Sequence, residues 1–238
     1  MKARLDILQV CLLRLFSIFL LAGCDTSVGS TQPEYISGID VSSYQEQINW
    51  TQVYGGGVRF AYIKATESDT LTDPQFMANW SGSDKSGVIR GAYHFFTQGV
   101  SGAAQAAYFL SVIRATDAGD RGALPPALDV EGLSGAELKE AKAEIAVWLK
   151  TVEAALNCTP VIYTSPDTWD EEFPGDFTNY GLWLADYTSE TQLPTGWTSW
   201  LFWQYSDSGT VDGIATPVSL DRFSGRELDL RLTTCVGW

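Results

Sequence analysis

From residue 35 onward, short apolar runs alternate with amphipathic ones. Strand-like runs fall at residues 38–42, 60–65, 91–96, 127–131, 161–165, 182–187, 200–205 and 218–223. Most are rich in Val, Ile, Tyr, Phe and Trp and are bounded by Gly, Pro or Ser. Several are almost continuously apolar, as expected of strands covered on both faces. The clearest helical run covers residues 134–157. Its apolar positions Leu138, Ala141, Ile145, Trp148, Leu149, Val152 and Leu156 recur at three- and four-residue steps, and Ser134 with Glu137 forms a capping box. A second helix is expected at 103–114, with Ala106, Phe109, Leu110 and Ile113 on one face, and shorter ones at 50–54 and 74–87. Past Ser165 the helical periodicity fades, and the last strands read as joined by loops. There is no internal repeat. This order predicts an α/β fold: an irregular TIM-like β/α barrel with about eight strands and roughly five helices.

The first 34 residues follow a different pattern. Lys2 and Arg4 precede an apolar run at 15–22, which is too short to span a bilayer. It ends in Leu21-Ala22-Gly23-Cys24, which resembles the lipobox of bacterial lipoproteins, whose Cys becomes the lipidated first residue. Residues 1–23 are therefore expected to be a signal peptide, and residues 24–34 a lipidated Cys24 with a small, polar, flexible tether. The folded domain would be 35–238, held at the periplasmic face of a membrane or outside the cell. Export permits disulfides. Cys158 and Cys235 either pair or remain two buried thiols.

Charge and composition narrow the chemistry. The formal net charge is −14, and since residues 1–23 contribute +2, the remainder stands at −16. Such a surface repels phosphate backbones, so nucleic acid is not an expected partner. The lone His, His94, and the absence of a CxxC pair argue against a zinc site, and no metal or cofactor is expected.

In a β/α barrel the reacting groups sit at the C-terminal ends of the strands. Acids pass that filter at Asp40, at Asp129 and Glu131 in Leu128-Asp129-Val130-Glu131, and at Asp186. Residues two apart on a strand share a face, with Cα atoms about 6.6 Å apart. Asp129 and Glu131 therefore point the same way, and two carboxyls so close push one pKa up. That makes a general acid beside an anion, the pair that glycoside hydrolysis requires. His94 at a strand end is either a base or a hydrogen-bonded structural residue. Tyr62, Tyr93, Tyr163, Trp183 and Trp203 are candidate sugar platforms set against a default role in the core, with Tyr93 and Trp183 favoured by their nearness to the acids.

These segments together resemble the lysozymes of glycoside hydrolase family 25, the Chalaropsis-type muramidases. The matching stretches are Gly38-Ile39-Asp40-Val41-Ser42, Phe60 to Glu67, Gly91-Ala92-Tyr93-His94-Phe95, Pro126 to Glu131, Pro160-Val161-Ile162-Tyr163-Thr164, Leu182-Trp183-Leu184-Ala185 and Phe202-Trp203-Gln204-Tyr205-Ser206, in family order. The resemblance implies cleavage of the β-1,4 bond between N-acetylmuramic acid and N-acetylglucosamine in peptidoglycan. It implies Glu131 as proton donor, Asp129 as partner of the 2-acetamido group and Asp40 as an assisting acid. One stretch departs. Where the family has Val-Asp-x-Asn or Val-Asp-x-Asp, this chain has Val218-Ser219-Leu220-Asp221. Either Asp221 replaces the missing acid or the cleft has one fewer. A monomer acting on glycan strands is expected. The alternatives are an inert peptidoglycan-binding lipoprotein and a chitinase-like barrel glycosidase.

Overall fold

The computed structural model describes residues 35–116, 122–133 and 138–235. The expected signal peptide, Cys24, the tether and the Ser134–Glu137 cap lie outside the described residues. The elements are β1 (Tyr35–Val41), α1 (Trp50–Gly55), β2 (Phe60–Glu67), β3 (Leu71–Thr72), α2 (Phe76–Ser86), β4 (Ile89–Phe95), α3 (Gly102–Ile113), β5 (Ala127–Asp129), α4 (Leu138–Leu156), β6 (Val161–Thr164), α5 (Pro166–Glu172), β7 (Gly181–Ala185), β8 (Phe202–Gly209), β9 (Val218–Ser224) and α6 (Glu227–Leu232).

The strand order β1-β9-β8-β7-β6-β5-β4-β2, closed by pairing of β1 with β2, makes an eight-stranded barrel, and β3 hangs on the end of β2. The expected barrel is therefore present, with its irregularity at the end of the chain. β9 runs antiparallel to both β1 and β8, whereas the other barrel pairings are parallel. An antiparallel neighbour needs only a hairpin, so no helix separates β8 from β9. α5 and α6 were not expected from the sequence. Ser165 caps α5, accepting from the Thr168 amide, and Pro166 occupies its first turn. The helix is too short to show an amphipathic period.

Alternation along the strands divides the apolar residues into two bodies. Phe60, Tyr62, Ile89, Ala127, Val161, Trp183, Phe202 and Phe223 fill the barrel. Ile39, Ile63, Leu128, Ile162 and Leu184 point outward, against Phe109, Ile145, Trp148 and Trp169 of the helices. The interior is close-packed: a Cβ on Gly91 would lie 2.5 Å from the Tyr62 ring, and one on Gly38 2.2 Å from Phe60. Only glycine admits rings of that size here.

Cys158 and Cys235 are joined in a disulfide, Cα atoms 5.9 Å apart, across 77 residues of chain. Ala123 forms a β-bridge with Cys235. Both contacts lie before the first residues of β5 and β6, at the barrel end away from the acids. Closing a loop of that length stabilises the fold by about 4 kcal/mol in the chain-entropy account.

Candidate active site

The C-terminal ends of the parallel strands converge on one cavity of about 250 Å³, lined by Asp40 (β1), Tyr93 (β4), Asp129 and Glu131 (β5 and the residues after it), Tyr163 (β6), Trp183 (β7) and Gln204 and Asp207 (β8), with Tyr187 and Ser219 completing the wall. A second cavity of about 460 Å³ shares Glu131, Tyr163 and Tyr187 with the first and continues along Ser165, Asp167, Asp186 and Gln192. The two together form a groove, with Glu131 on the wall between them.

β5 proper ends at Asp129, two residues earlier than expected. The Val130 amide still donates to the Tyr163 carbonyl (2.9 Å), so the extended backbone carries on. Gly132, at φ 66°, then turns the chain away. This puts Asp129 and Glu131 on the same face, as their spacing predicted, but in different surroundings. Asp129 is 7% exposed, and its Oδ1 is buried with no hydrogen-bond donor. Glu131 stands exposed at the cavity mouth. Burial, then the charges of Glu131 and Asp40, hold the Asp129 carboxyl well above the usual range. Glu131 is raised by partial desolvation of its carboxyl, against the pull of Lys64. Lys64 is itself tied to Glu67 at 2.7 Å.

Asp40 is pushed up to about 6 by burial, against the hydrogen bond from Gln204, which pulls it down. Gln204 organises this side of the site. Its Nε2 donates to Asp40 Oδ2 (2.6 Å), and its Oε1 accepts from the hydroxyls of Tyr163 (3.0 Å) and Tyr187 (2.6 Å). Two phenols on Oε1 fix the amide orientation, so the Nε2 must face the acid.

Asp221 lies one layer below. It is fully buried, and its Oδ1 accepts from Trp183 Nε1 at 2.8 Å. Its Oδ2 is buried with no hydrogen-bond partner, and burial, then the Asp40 charge, hold the carboxyl well above the ordinary range. Asp221 thus lies beneath Asp40 and does not reach the cavity. The residue at the cavity wall is Ser219, which pairs with Asp40 in the β1–β9 register.

The other expected site residues divide by strand face. Tyr93, Tyr163 and Trp183 line the cavity, with Trp183 as its floor. Tyr62 does not: it is fully buried beneath Trp183, ring centroids 4.4 Å apart, with its hydroxyl donating to the Pro125 carbonyl. His94 is also corrected. It alternates to the helix side, stacks on Trp148 at 5.5 Å, and is bonded through Nδ1 to Thr66 and through Nε2 to Gln105. Trp203 likewise points outward, packs on Trp200 and donates to the Asp186 carbonyl. Asp186 lines the larger cavity, but its carboxylate accepts from the amides of Thr188 and Gln192, shaping that wall. Burial alone would raise it, but those bonds together hold it below the ordinary carboxylate value. Gln204, Tyr187 and Asp207 were not expected. Gln204 had a signal, being two residues from the inward Phe202.

A carboxyl pair set apart by environment, in a groove at the carboxyl end of a barrel, is the equipment of a glycosidase. Residues 39–214 match the model of the glycosyl hydrolases family 25. This chain belongs to glycosyl hydrolase family 25. Membership makes it a glycoside hydrolase. The family 25 chain is 39% identical to the protein YegX of Escherichia coli (strain K12) over 201 residues, covering 82% of this chain and 72% of that one. It is 35% identical to Lysozyme M1 of Streptomyces globisporus over 219 residues, covering 84% and 72%. The solved bacterial lysozyme from Streptomyces coelicolor superposes with a TM-score of 0.78 at 34% identity, over 85% of this chain and 98% of that one.

Proposed function

We propose that this family 25 enzyme is a lysozyme, an N-acetylmuramidase that cleaves the β-1,4 bond between N-acetylmuramic acid and N-acetylglucosamine in peptidoglycan. It acts outside the cytoplasm, held to a membrane by a lipid on Cys24. The observation that carries the reading is the contrast within the acid pair: Asp129 has a buried oxygen that no protein donor reaches, while Glu131 stands at the mouth of the same cavity.

The orphaned oxygen of Asp129 is suited to accept an N–H from the 2-acetamido group of the muramic acid. That bond favours the charged form of Asp129, which in turn orients the acetamido carbonyl oxygen towards C1. Glu131, its pKa raised, keeps a proton to give to the departing O4 of N-acetylglucosamine. The C1–O4 bond breaks as the acetamido oxygen bonds C1, forming an oxazolinium ion. Glu131, now ionised, takes a proton from water, which attacks C1 and reopens the ring with retained configuration. Asp40, with its pKa of about 6, is mostly anionic at neutral pH and supports the positive charge that develops.

Purified peptidoglycan digested with the wild type should release reducing-end muramic acid, and Glu131→Gln should be slower by roughly 10²-fold or more. Equal rates for the two, or no reducing muramic acid from the wild type, would overturn the reading.

A further inference from the structure

The β8–β9 wall of the cleft contains two irregularities, and the first reverses which β8 residues face inward. Phe202 and Gln204 point into the barrel, so simple alternation would send Ser206 inward and Asp207 out. The register shows otherwise. Gln204 pairs with Asp221 and Ser206 with Leu220, so two steps on β8 match one on β9, and Tyr205 is the extra residue of a bulge. Tyr205 packs outward, under the guanidinium of Arg222 at 4.3 Å. One added residue exchanges the faces. From Ser206 to Gly209 against Leu220 to Val218 a second bulge sets Asp207 and Ser208 opposite the single residue Ser219. Ser219 faces inward, and Asp207 lines the cavity beside it.

Among the described residues no hydrogen bond or ion pair engages the Asp207 carboxylate, and the residue is exposed at the rim. A carboxylate aimed by two bulges into a glycan cleft, with its acceptor oxygens open, is placed for sugar hydroxyl or amide donors. The position across the ladder, 219, is where the family pattern carries an acid and this chain does not. We infer that Asp207 is a substrate-binding residue, the carboxylate on the β8–β9 wall that accepts hydrogen bonds from the glycan in place of an acid at Ser219. The acid has moved one strand over. A carboxylate at 219 would lie against Asp40 and, through it, Asp221. At 207 it joins the cleft from the solvent side. The inference rests on the peptidoglycan reading only for the identity of the glycan.

The test uses Asp207→Asn, Ser219→Asp and the double variant, with kcat and KM on solubilised peptidoglycan and a melting curve for each. Asp207→Asn should lower kcat/KM by about tenfold, mainly through KM, as expected for a lost charged acceptor, with an unchanged melting temperature. Ser219→Asp in the Asp207→Asn background should recover most of that loss, which a purely structural role for Asp207 would not allow. A wild-type-like kcat/KM for Asp207→Asn, or no recovery in the double variant, would overturn the inference. If the wild type cleaves nothing, the functional reading has failed, and the inference is decided by sedimentation with insoluble peptidoglycan. Glu131→Gln should then bind about tenfold more tightly than Glu131→Gln with Asp207→Asn, and equal binding would overturn it.

Discussion

At the scale of single residues, the site is a set of carboxyls separated by environment rather than by sequence distance. Asp221 is the clearest case. Burial first, and then the Asp40 charge, hold its carboxyl well above the ordinary range. The folded state therefore binds that proton more tightly than the unfolded chain, so this group removes stability as pH rises past the unfolded value of about 3.9. Asn at this position keeps the acceptor for Trp183 Nε1 and an N–H for Asp40, without a proton to lose. Asp221→Asn should melt close to the wild type near about pH 4 and above it at about pH 7, with the gap widening steadily between. A pH series of melting temperatures measures this. A gap that shrinks with rising pH would mean that Asp221 is ionised in the fold.

At the scale of elements, His94 shows what a strand end does when its side chain faces the helices. Burial, helped by Lys64, lowers its pKa to about 4 despite the Gln105 bond. The Gln105 side chain also accepts from the Thr97 amide and donates to the carbonyls of Thr97 and Val100, so β4, the following loop and α3 are fastened together around a neutral imidazole. A His depressed in the fold contributes stability that is complete above its unfolded value of about 6.5 and is lost as pH falls through about 4, roughly 3 kcal/mol in all. His94→Gln should be less stable than the wild type at neutral pH, with the difference narrowing as pH falls through that window in urea unfolding. A constant difference would remove the proton linkage. The sequence could not separate this role from catalysis, because alternation fixes that neighbours face opposite ways but not which way is in. The same ambiguity misplaced Trp203, whereas Tyr62 does face inward but lies too deep, beneath Trp183. What was legible were features with a long enough period: the eight strands, the helix through Trp148, and the Asp129–Glu131 pair on one face. What was not legible were short or register-dependent features: β3, α5, α6, and the bulge that reverses β8 and brings Asp207 inward.

At the scale of the whole molecule, the charge and the first residues bear on where the enzyme works. The formal net charge of −14 disfavours close approach to an anionic bilayer. A covalent anchor on Cys24, followed by a tether of about ten residues that spans at most about 35 Å, would overcome that repulsion without a cationic patch. Cys24→Ala should therefore move the enzyme from the membrane fraction to the soluble fraction of fractionated cells, while the purified enzyme digests peptidoglycan at the wild-type rate. Persistence in the membrane fraction would rule the anchor out. The antiparallel entry of β9 has a further consequence. Every parallel strand of the barrel is bound to its neighbours through a covering segment, so a change in its length must be absorbed by repacking. The tip of the β8–β9 hairpin is instead pinned from the side, the Asn49 amide donating to the Gly213 carbonyl (2.8 Å) and Gln45 Nε2 to the Pro217 carbonyl (3.0 Å), with Ile214 buried. Between that anchor and the sheet the exposed Asp207 and Ser208 stand free of the packing, so side chains can be exchanged there while the acid pair on β5 stays fixed, which makes this short stretch of wall the place for the enzyme to diversify towards differently decorated glycans.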